Sequence, residues 1–367
     1  MDQFLIGIGI LVILSALLAS LIEIASKFLA DYGQCKIIIN EQKELLVAGG
    51  RTLLSTLVDE KIFIPSACGG RGTCGYCKVR VIEGGGPVLP TETPYLSDQE
   101  LQDHVRLSCQ VKVRNDMAIW IPEEIFLIKE YVARVESIEP LTPRIKALHL
   151  RISDPPEGIS FKPGQYVQME VPKYKLTKAP EYRAYSIASP ADRYQELELV
   201  ITKVPEGAVS TYVHEFLRQG EELKLSGPYG EFYLRPSERE ILFIATGSGL
   251  APILSMLDQL AKESSTKKIT LFFGARTKSD LYHIEKLEAY KQKLANFEYV
   301  LTLSRPTEKD EWKGEKGRVT DLIKRYVPEN PPFDVYMCGA PQMVESCKKL
   351  LLDKGIPEQR MFYDTFD

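Results

Sequence analysis

The stretch Cys68-Gly69-Gly70-Arg71-Gly72-Thr73-Cys74-Gly75-Tyr76-Cys77 decides how the first third of this chain is read. A fourth cysteine, Cys109, follows in L-S-C-Q, so the spacing is C-x5-C-x2-C-x31-C. Four thiolates satisfy a [2Fe–2S] cluster, in which each iron takes two cysteine sulfurs beside two bridging sulfides. Gly69, Gly70, Gly72 and Gly75 let the backbone wrap tightly and turn its N–H groups toward sulfur. Zinc is the competing reading of a C-x2-C pair. A zinc ribbon uses two such knuckles, however, and one stands here among the glycines. Cys68, Cys74, Cys77 and Cys109 are therefore the expected metal ligands.

Working outward from this loop, residues 35–40 and 43–47 read as a hairpin, and Thr52 caps a helix over 53–60. Residues 78–82 alternate as a strand, 93–103 read as helical, and 105–111 form a last strand carrying Cys109. His104 lies near Cys109 but is expected on the surface, because four cysteines complete the site. The order resembles that of the α+β, β-grasp ferredoxins, over residues 34–125. The plant-type spacing is C-x4-C-x2-C, so one residue is added here without changing the ligand count.

The 367 residues leave room for two or three domains, and 26% charged with 44% hydrophobic residues is an ordinary globular composition. A formal charge of −4 gives no basic footprint, so no nucleic-acid partner is expected. Seven cysteines are too few for a disulfide scaffold, and Cys35 and Cys347 read as small apolar filler.

Residues 4–22 carry no charge and are long enough to cross a hydrocarbon core of about 30 Å. A secretory signal is the alternative, but it would begin with positive charge, and this chain begins Met-Asp-Gln. Lys27 and Lys36 follow the run and none precedes it. The positive-inside rule then places the remainder in the cytoplasm, behind a single transmembrane anchor over 1–30 in the inner membrane. Gly7-Ile8-Gly9 would allow close packing with a membrane partner, and Glu23 reads as interfacial.

Between 128 and 236, short strands (131–138, 145–151, 166–171, 197–202, 222–225) punctuated by Pro and Gly suggest an antiparallel β-barrel. In Arg183-Ala184-Tyr185-Ser186 the arginine offers a fork to a pyrophosphate, the tyrosine a flat face to a ring, and the serine a hydroxyl. Gly207-Ala208-Val209-Ser210-Thr211 opens a helical stretch over 212–218 and offers an anion its N–H groups and two hydroxyls. Each cluster alone also fits an ordinary strand or turn. In this order, before Gly227-Pro228-Tyr229-Gly230-Glu231-Phe232, they resemble the flavin-binding signatures of the ferredoxin–NADP reductase superfamily.

Residues 237–367 alternate apolar strands (240–245, 268–274, 297–304, 334–338) with helices (253–262, 284–294, 320–326, 342–354), which predicts an α/β layer on a parallel sheet. Thr246-Gly247-Ser248-Gly249 joins the first strand to the first helix, with Pro252 at the helix start, the geometry that admits a pyrophosphate. Cys338-Gly339-Ala340-Pro341 and Ser304-Arg305 fall at carboxyl ends of strands, where such sheets bind ligands. Arg305 leaves NADH and NADPH both open. No chemistry is assigned to His214 or His283.

Taken together, anchor, ferredoxin, R-A-Y-S barrel and G-S-G-L-A-P with C-G-x-P resemble the F subunit of the sodium-translocating NADH:quinone reductases over nearly the whole chain. The segments F-G-A-R-T (ending at Thr277) and D-T-F (364–366) are similar to that family's pattern too. The resemblance implies a [2Fe–2S] cluster on the four cysteines and FAD on Arg183, Tyr185, Ser186, Gly207, Val209, Ser210 and Thr211. It also implies NADH on Thr246, Gly247, Gly249, Pro252, Arg276, Cys338 and Gly339. Ser186 and Cys338 would orient hydride transfer, and Phe366, stacked on the flavin where nicotinamide enters, would have to move aside. The implied flow is NADH to FAD to cluster to an acceptor such as ubiquinone, among further membrane subunits. The chain departs from the family in its shorter length, in the brief segment 174–181 before R-A-Y-S, and in ending Phe366-Asp367. Reductases feeding a membrane oxygenase or desaturase share the three modules, and a bare electron carrier would be expected to have lost one of its nucleotide motifs.

Overall fold

The chain begins with α1 (Asp2–Leu29), whose Leu11, Leu17 and Leu21 are more than half exposed. The structure is a computed structural model that describes residues 2–29 and 32–365, with side chains in α1 described over 7–21. Among the described residues, no helix is long and apolar enough to cross a membrane. The side chains of Glu23 and Lys27, and the whole of Phe366, lie outside the described residues.

The chain divides into two compact units, the first comprising residues 1–65 and 70–127, the second 66–69 and 128–367. In the first, β1 (Gln34–Ile39) and β2 (Lys43–Ala48) form the expected hairpin. The Thr52 hydroxyl accepts the Ser55 N–H and so starts α2 (Leu53–Asp59), which buries Leu53, Leu54 and Leu57. Residues 93–103 are broken rather than continuous. A 3-10 turn over Thr93–Tyr95 ends before Ser97, which caps α3 (Asp98–Gln102) in a reciprocal exchange with Glu100.

After β3 (Lys78–Glu83), the strand expected over 105–111 stops early. β4 is Val105–Leu107, and the Gln110 N–H turns back to the Leu107 carbonyl at 2.8 Å, leaving Cys109 in a turn. A further strand, β5 (Met117–Trp120), pairs parallel with β1 and antiparallel with β3, giving the mixed sheet β2-β1-β5-β3-β4. With α2 this is the α+β arrangement expected of a β-grasp.

In the second unit, β6 (Lys129–Thr142), β7 (Ile145–Asp154), β8 (Tyr166–Val171), β9 (Glu181–Ser186), β10 (Glu196–Thr202) and β11 (Glu222–Tyr229) form an antiparallel sheet ordered β10-β7-β6-β11-β8-β9. An Ile187–Leu199 bridge, and the Ala188 N–H on the Glu198 carbonyl at 2.8 Å, draw the two edge strands together into a barrel. Val135, Leu150, Val167, Met169 and Leu199 fill it. The short helix α4 (Ala208–Thr211) runs into one π turn, Tyr212–Phe216, in place of the longer helical stretch suggested by the sequence.

A parallel sheet completes this unit: β12 (Glu240–Thr246), β13 (Ile269–Ala275), β14 (Phe297–Leu303), β15 (Glu315–Lys316), β16 (Phe333–Gly339) and β17 (Met361–Thr365), ordered β15-β14-β13-β12-β16-β17. α5 (Leu250–Lys262) and α6 (Ile284–Lys293) cover one face, α7 (Val319–Tyr326) and α8 (Pro341–Asp353) the other. Both faces of β12 are therefore buried, Phe243 under α5 and Leu242 with Ile244 under α7 and α8. Ile145, Ala188 and Val200 of the barrel share a hydrophobic cluster with Phe243, Leu254 and Leu257, so barrel and sheet have one continuous core. Cys35 and Cys347 are buried as expected, and burial pushes the Cys347 thiol up to about 12.

Candidate functional site

In the first unit, β3 delivers Cys77 and the turn after β4 delivers Cys109. The two are held together because the Ser108 N–H and hydroxyl both donate to the Cys77 carbonyl, at 2.8 and 3.0 Å. A hydrogen bond to the Cys109 side chain and burial, with Cys74 nearby, push the Cys77 thiol well up. Such closeness of thiols suits an ion that would take them as thiolates. Gly69, Gly70, Gly72 and Gly75 all have positive φ. At Gly70 a Cβ would press on Leu54 at 3.4 Å, and at Gly72 it would strike the Gln110 amide at 2.5 Å, so the loop closes tightly over Cys109. Cys68 falls in segment 66–69. Among the described residues, no group of three or more His, Cys, Asp or Glu is gathered in metal-holding geometry. His104 is exposed.

A buried ion pair braces this region. Arg106 on β4 donates to both Glu92 carboxylate oxygens (3.0 and 2.6 Å) and to the carbonyls of Gly85, Gly86 and Pro87. Burial pushes the Glu92 carboxyl up, but the Arg106 bonds and the N–H groups of Leu89 and Leu107 outweigh it, and the net shift is down. Sequence patterning offers no sign of this pair, because a lone Arg and a lone Glu carry no period.

In the second unit β9 presents the R-A-Y-S residues. The Ser186 hydroxyl is buried and has no hydrogen-bond partner among the described residues, a need that a ligand's donor or acceptor would meet. Burial raises the Tyr185 phenol. Arg183 donates to the Tyr182 carbonyl at 2.6 Å and to Glu181 at 3.1 Å. The Gly207 turn packs beside β9. A Cβ at Gly207 would stand 2.7 Å from Ser210 Oγ, and that hydroxyl already accepts the Val204 N–H at 3.1 Å. Val209 lies in the barrel core, and Thr211 is buried.

The nucleotide motifs converge at the carboxyl edge of the parallel sheet. A Cβ at Gly249 would stand 2.2 Å from the Cys338 carbonyl oxygen, and one at Gly339 would stand 2.4 Å from the Thr246 hydroxyl. Thr246 and Gly249 are thus packed directly on Gly339 and Cys338, while the space beside Gly247 is open. Pro252 sits in the first turn of α5, where its missing N–H costs nothing. Arg276 is exposed just past β13, and its carbonyl accepts the Arg305 N–H at 2.8 Å. Two residues with no expected role join them. Tyr282 donates its hydroxyl to the Gly247 carbonyl at 2.9 Å, and Asp364 lies opposite Cys338 in the register of β16 and β17. Desolvation pushes the Asp364 carboxyl up to about 7, and burial with the nearby Asp364 raises the Cys338 thiol.

The fold, taken with the comparisons with known proteins, defines an iron–sulfur flavoprotein of the ferredoxin-reductase class. Residues 37–114 match the family described as 2Fe-2S iron-sulfur cluster binding domain, 132–233 the oxidoreductase FAD-binding domain, and 243–349 the oxidoreductase NAD-binding domain. The chain is 35% identical to the F subunit of the Na(+)-translocating NADH-quinone reductase of Neisseria meningitidis serogroup B, covering 99% of each, and 32% identical to that of Idiomarina loihiensis, covering 100% of each. It belongs to the family of F subunits of the Na(+)-translocating NADH-quinone reductases. Among solved structures it is similar to the Amycolatopsis cytochrome P450 reductase GcoB (24% identity, TM-score 0.73, 90% of this chain and 98% of that one). It is also similar to the ferredoxin reductase of carbazole 1,9a-dioxygenase (26%, 0.70, 91% and 99%). The protein is an NADH-oxidising enzyme of the flavin and iron–sulfur type.

Proposed function

We propose that this chain is the NADH-oxidising subunit of a membrane-bound, sodium-translocating NADH:quinone reductase, passing electrons from NADH through FAD to its [2Fe–2S] centre and on to partner subunits. The observation that carries the reading is the buried Ser186 hydroxyl, without a partner among the described residues, in the same compact unit as a strand–glycine–helix edge that suits a dinucleotide. When bound, FAD supplies the two-electron to one-electron conversion and the cluster a one-electron relay.

The chain's own residues have the tasks of binding and orienting. Gly247 and Gly249 admit a pyrophosphate to the start of α5, with Thr246 and Pro252 shaping the turn. Cys338 and Gly339 floor the nicotinamide side, and Arg276 stands at the adenosine side. The Ser186 hydroxyl would direct the reacting edge of a bound flavin, Tyr185 would offer its ring a flat face, and Arg183, now on Glu181, would be the fork for its phosphate. The Gly207–Thr211 turn steadies the same pyrophosphate. Cys68, Cys74, Cys77 and Cys109 would be the iron ligands.

The uncharged run of α1, with its exposed leucines, supports a single-pass anchor in the inner membrane with both units on the cytoplasmic side. The test is a detergent-solubilised pull-down of the tagged chain, with NADH- and NADPH-dependent reductase rates on the eluate. Co-purifying polytopic subunits and quinone reduction support the proposal. A lone chain that reduces only soluble acceptors would favour an oxygenase-type reductase, the role of the carbazole dioxygenase reductase it resembles.

A further inference from the structure

His283 stands at φ 55, in the left-handed region, at the entrance to α6. Its Nε2 is 3.1 Å from Glu198 Oε1, across 85 positions of sequence, and both side chains are buried. Lys286, one turn along α6, donates to both Glu198 oxygens at 3.0 Å. Burial pushes Glu198 up, but His283 and Lys286 outweigh it and bring the carboxyl down to about 2, so it is ionised at neutral pH.

What matters is where each end of this cluster leads. On the barrel side, the Glu198 carbonyl holds the Ala188 N–H, two residues beyond Ser186, and its N–H donates to Ser189 Oγ at 3.2 Å. The Ser189 carbonyl in turn accepts the buried Ser255 hydroxyl of α5 at 2.7 Å. On the sheet side, Tyr282 precedes His283, its ring lies 5.1 Å from the imidazole, and its hydroxyl holds the Gly247 carbonyl. One short chain of buried bonds therefore runs from the end of β9 to the glycine turn after β12. A merely structural ion pair would more cheaply be an apolar contact.

We propose that Glu198, His283 and Lys286 are positioning residues that set the register between the flavin-facing Ser186 and the nucleotide-binding turn at Gly247, and so the approach of nicotinamide to flavin. The inference rests on the roles given above to Ser186 and Gly247. A hydride donor misplaced by about 1 Å can lose on the order of a hundredfold in rate while binding persists.

The test compares the full-length, FAD- and cluster-loaded wild type with Glu198→Gln and His283→Asn, the latter chosen because Asn tolerates the left-handed backbone. Ser186→Ala is the control for the underlying reading. Single-turnover flavin reduction by NADH and by 4-deuterated NADH, the dissociation constant of NAD+ by calorimetry, thermal melting, and hydrogen exchange at residues 247–250 are measured on each. The expected result is a fall of about tenfold or more in flavin reduction for both variants, with NAD+ affinity within about threefold and a changed isotope effect. Faster exchange at residues 247–250 is expected alongside it. Lower melting temperature with an unchanged reduction rate and isotope effect would overturn the inference, leaving the cluster as a structural tie. Unchanged reduction in Ser186→Ala would instead overturn the reading on which it rests.

Discussion

Gly249 and Cys338 meet backbone to backbone: a Cβ at Gly249 would lie 2.2 Å from the Cys338 carbonyl oxygen and 2.9 Å from the Gly339 nitrogen. The contact joins the two loops that the sequence marks as nucleotide-binding, and neither backbone can give way without shifting a buried strand. Gly249→Ala should therefore cost about 2–4 kcal/mol of stability and reduce kcat/KM for NADH at least tenfold. Denaturant melts and NADH–ferricyanide kinetics check both parts, and an unaltered KM would contradict the assigned role.

Ser186 permits a sharper separation of stability from function. Its hydroxyl is buried without a partner among the described residues, so Ser186→Ala should leave the apoprotein's stability unchanged or raise it by up to about 1 kcal/mol. Flavin reduction in the loaded enzyme should fall by roughly one to two orders of magnitude, because the hydroxyl proposed to direct the reacting edge of the flavin is lost. Calorimetry of the apoprotein and stopped-flow absorbance of the loaded form give the two readings.

The Glu92–Arg106 pair predicts an acid-sensitive ferredoxin unit. Glu92 is held below its ordinary range in the folded state, so its contribution is present above the unfolded value and is lost as pH falls through the folded one. Arg106→Met strands the buried Glu92 charge and should cost about 3–5 kcal/mol. Circular dichroism melts between about pH 3 and pH 7 should show the wild type losing stability on acidification, and the variant losing much less of it.

Asp364 has the opposite sign. Its carboxyl, ordinarily at 3.8, is pushed up to about 7, so the folded state holds a proton that the unfolded state releases, and stability falls as pH rises between those values. Asp364→Asn should remove that fall, a gain of about 1–3 kcal/mol at pH 8 after allowance for its partial exposure. An identical pH profile for wild type and variant would contradict the assignment.

Much of this fold is legible in the sequence because apolar runs and glycine turns are local signals. The βαβ series from β12 to α8, the β1–β2 hairpin and the Thr52 cap each follow from a few adjacent residues. The alternation in V-R-L-S-C-Q-V places Cys109 on a strand, but the N–H groups of Gln110 and Val111 turn back to the Leu107 carbonyl and end that strand at Leu107. β5 escapes such a reading because Met117–Trp120 is four residues long and takes its meaning from β1 and β3. The site divides in the same way. Ser186, Gly249 and Cys338 sit in readable motifs, whereas Glu198 with His283, Tyr282 with Gly247, and Glu92 with Arg106 are pairings of distant residues. Nothing in one member of such a pair announces the other.

The central claim is that this single chain carries electrons from NADH through FAD to a [2Fe–2S] cluster. Its most direct test is anaerobic addition of NADH to the purified, cofactor-loaded chain, followed by freeze-quench electron paramagnetic resonance alongside flavin absorbance. The account requires flavin bleaching followed by the signal of a reduced [2Fe–2S] cluster, with the signal absent in Cys109→Ser while bleaching persists. A cluster signal that appears with dithionite but not with NADH would contradict it.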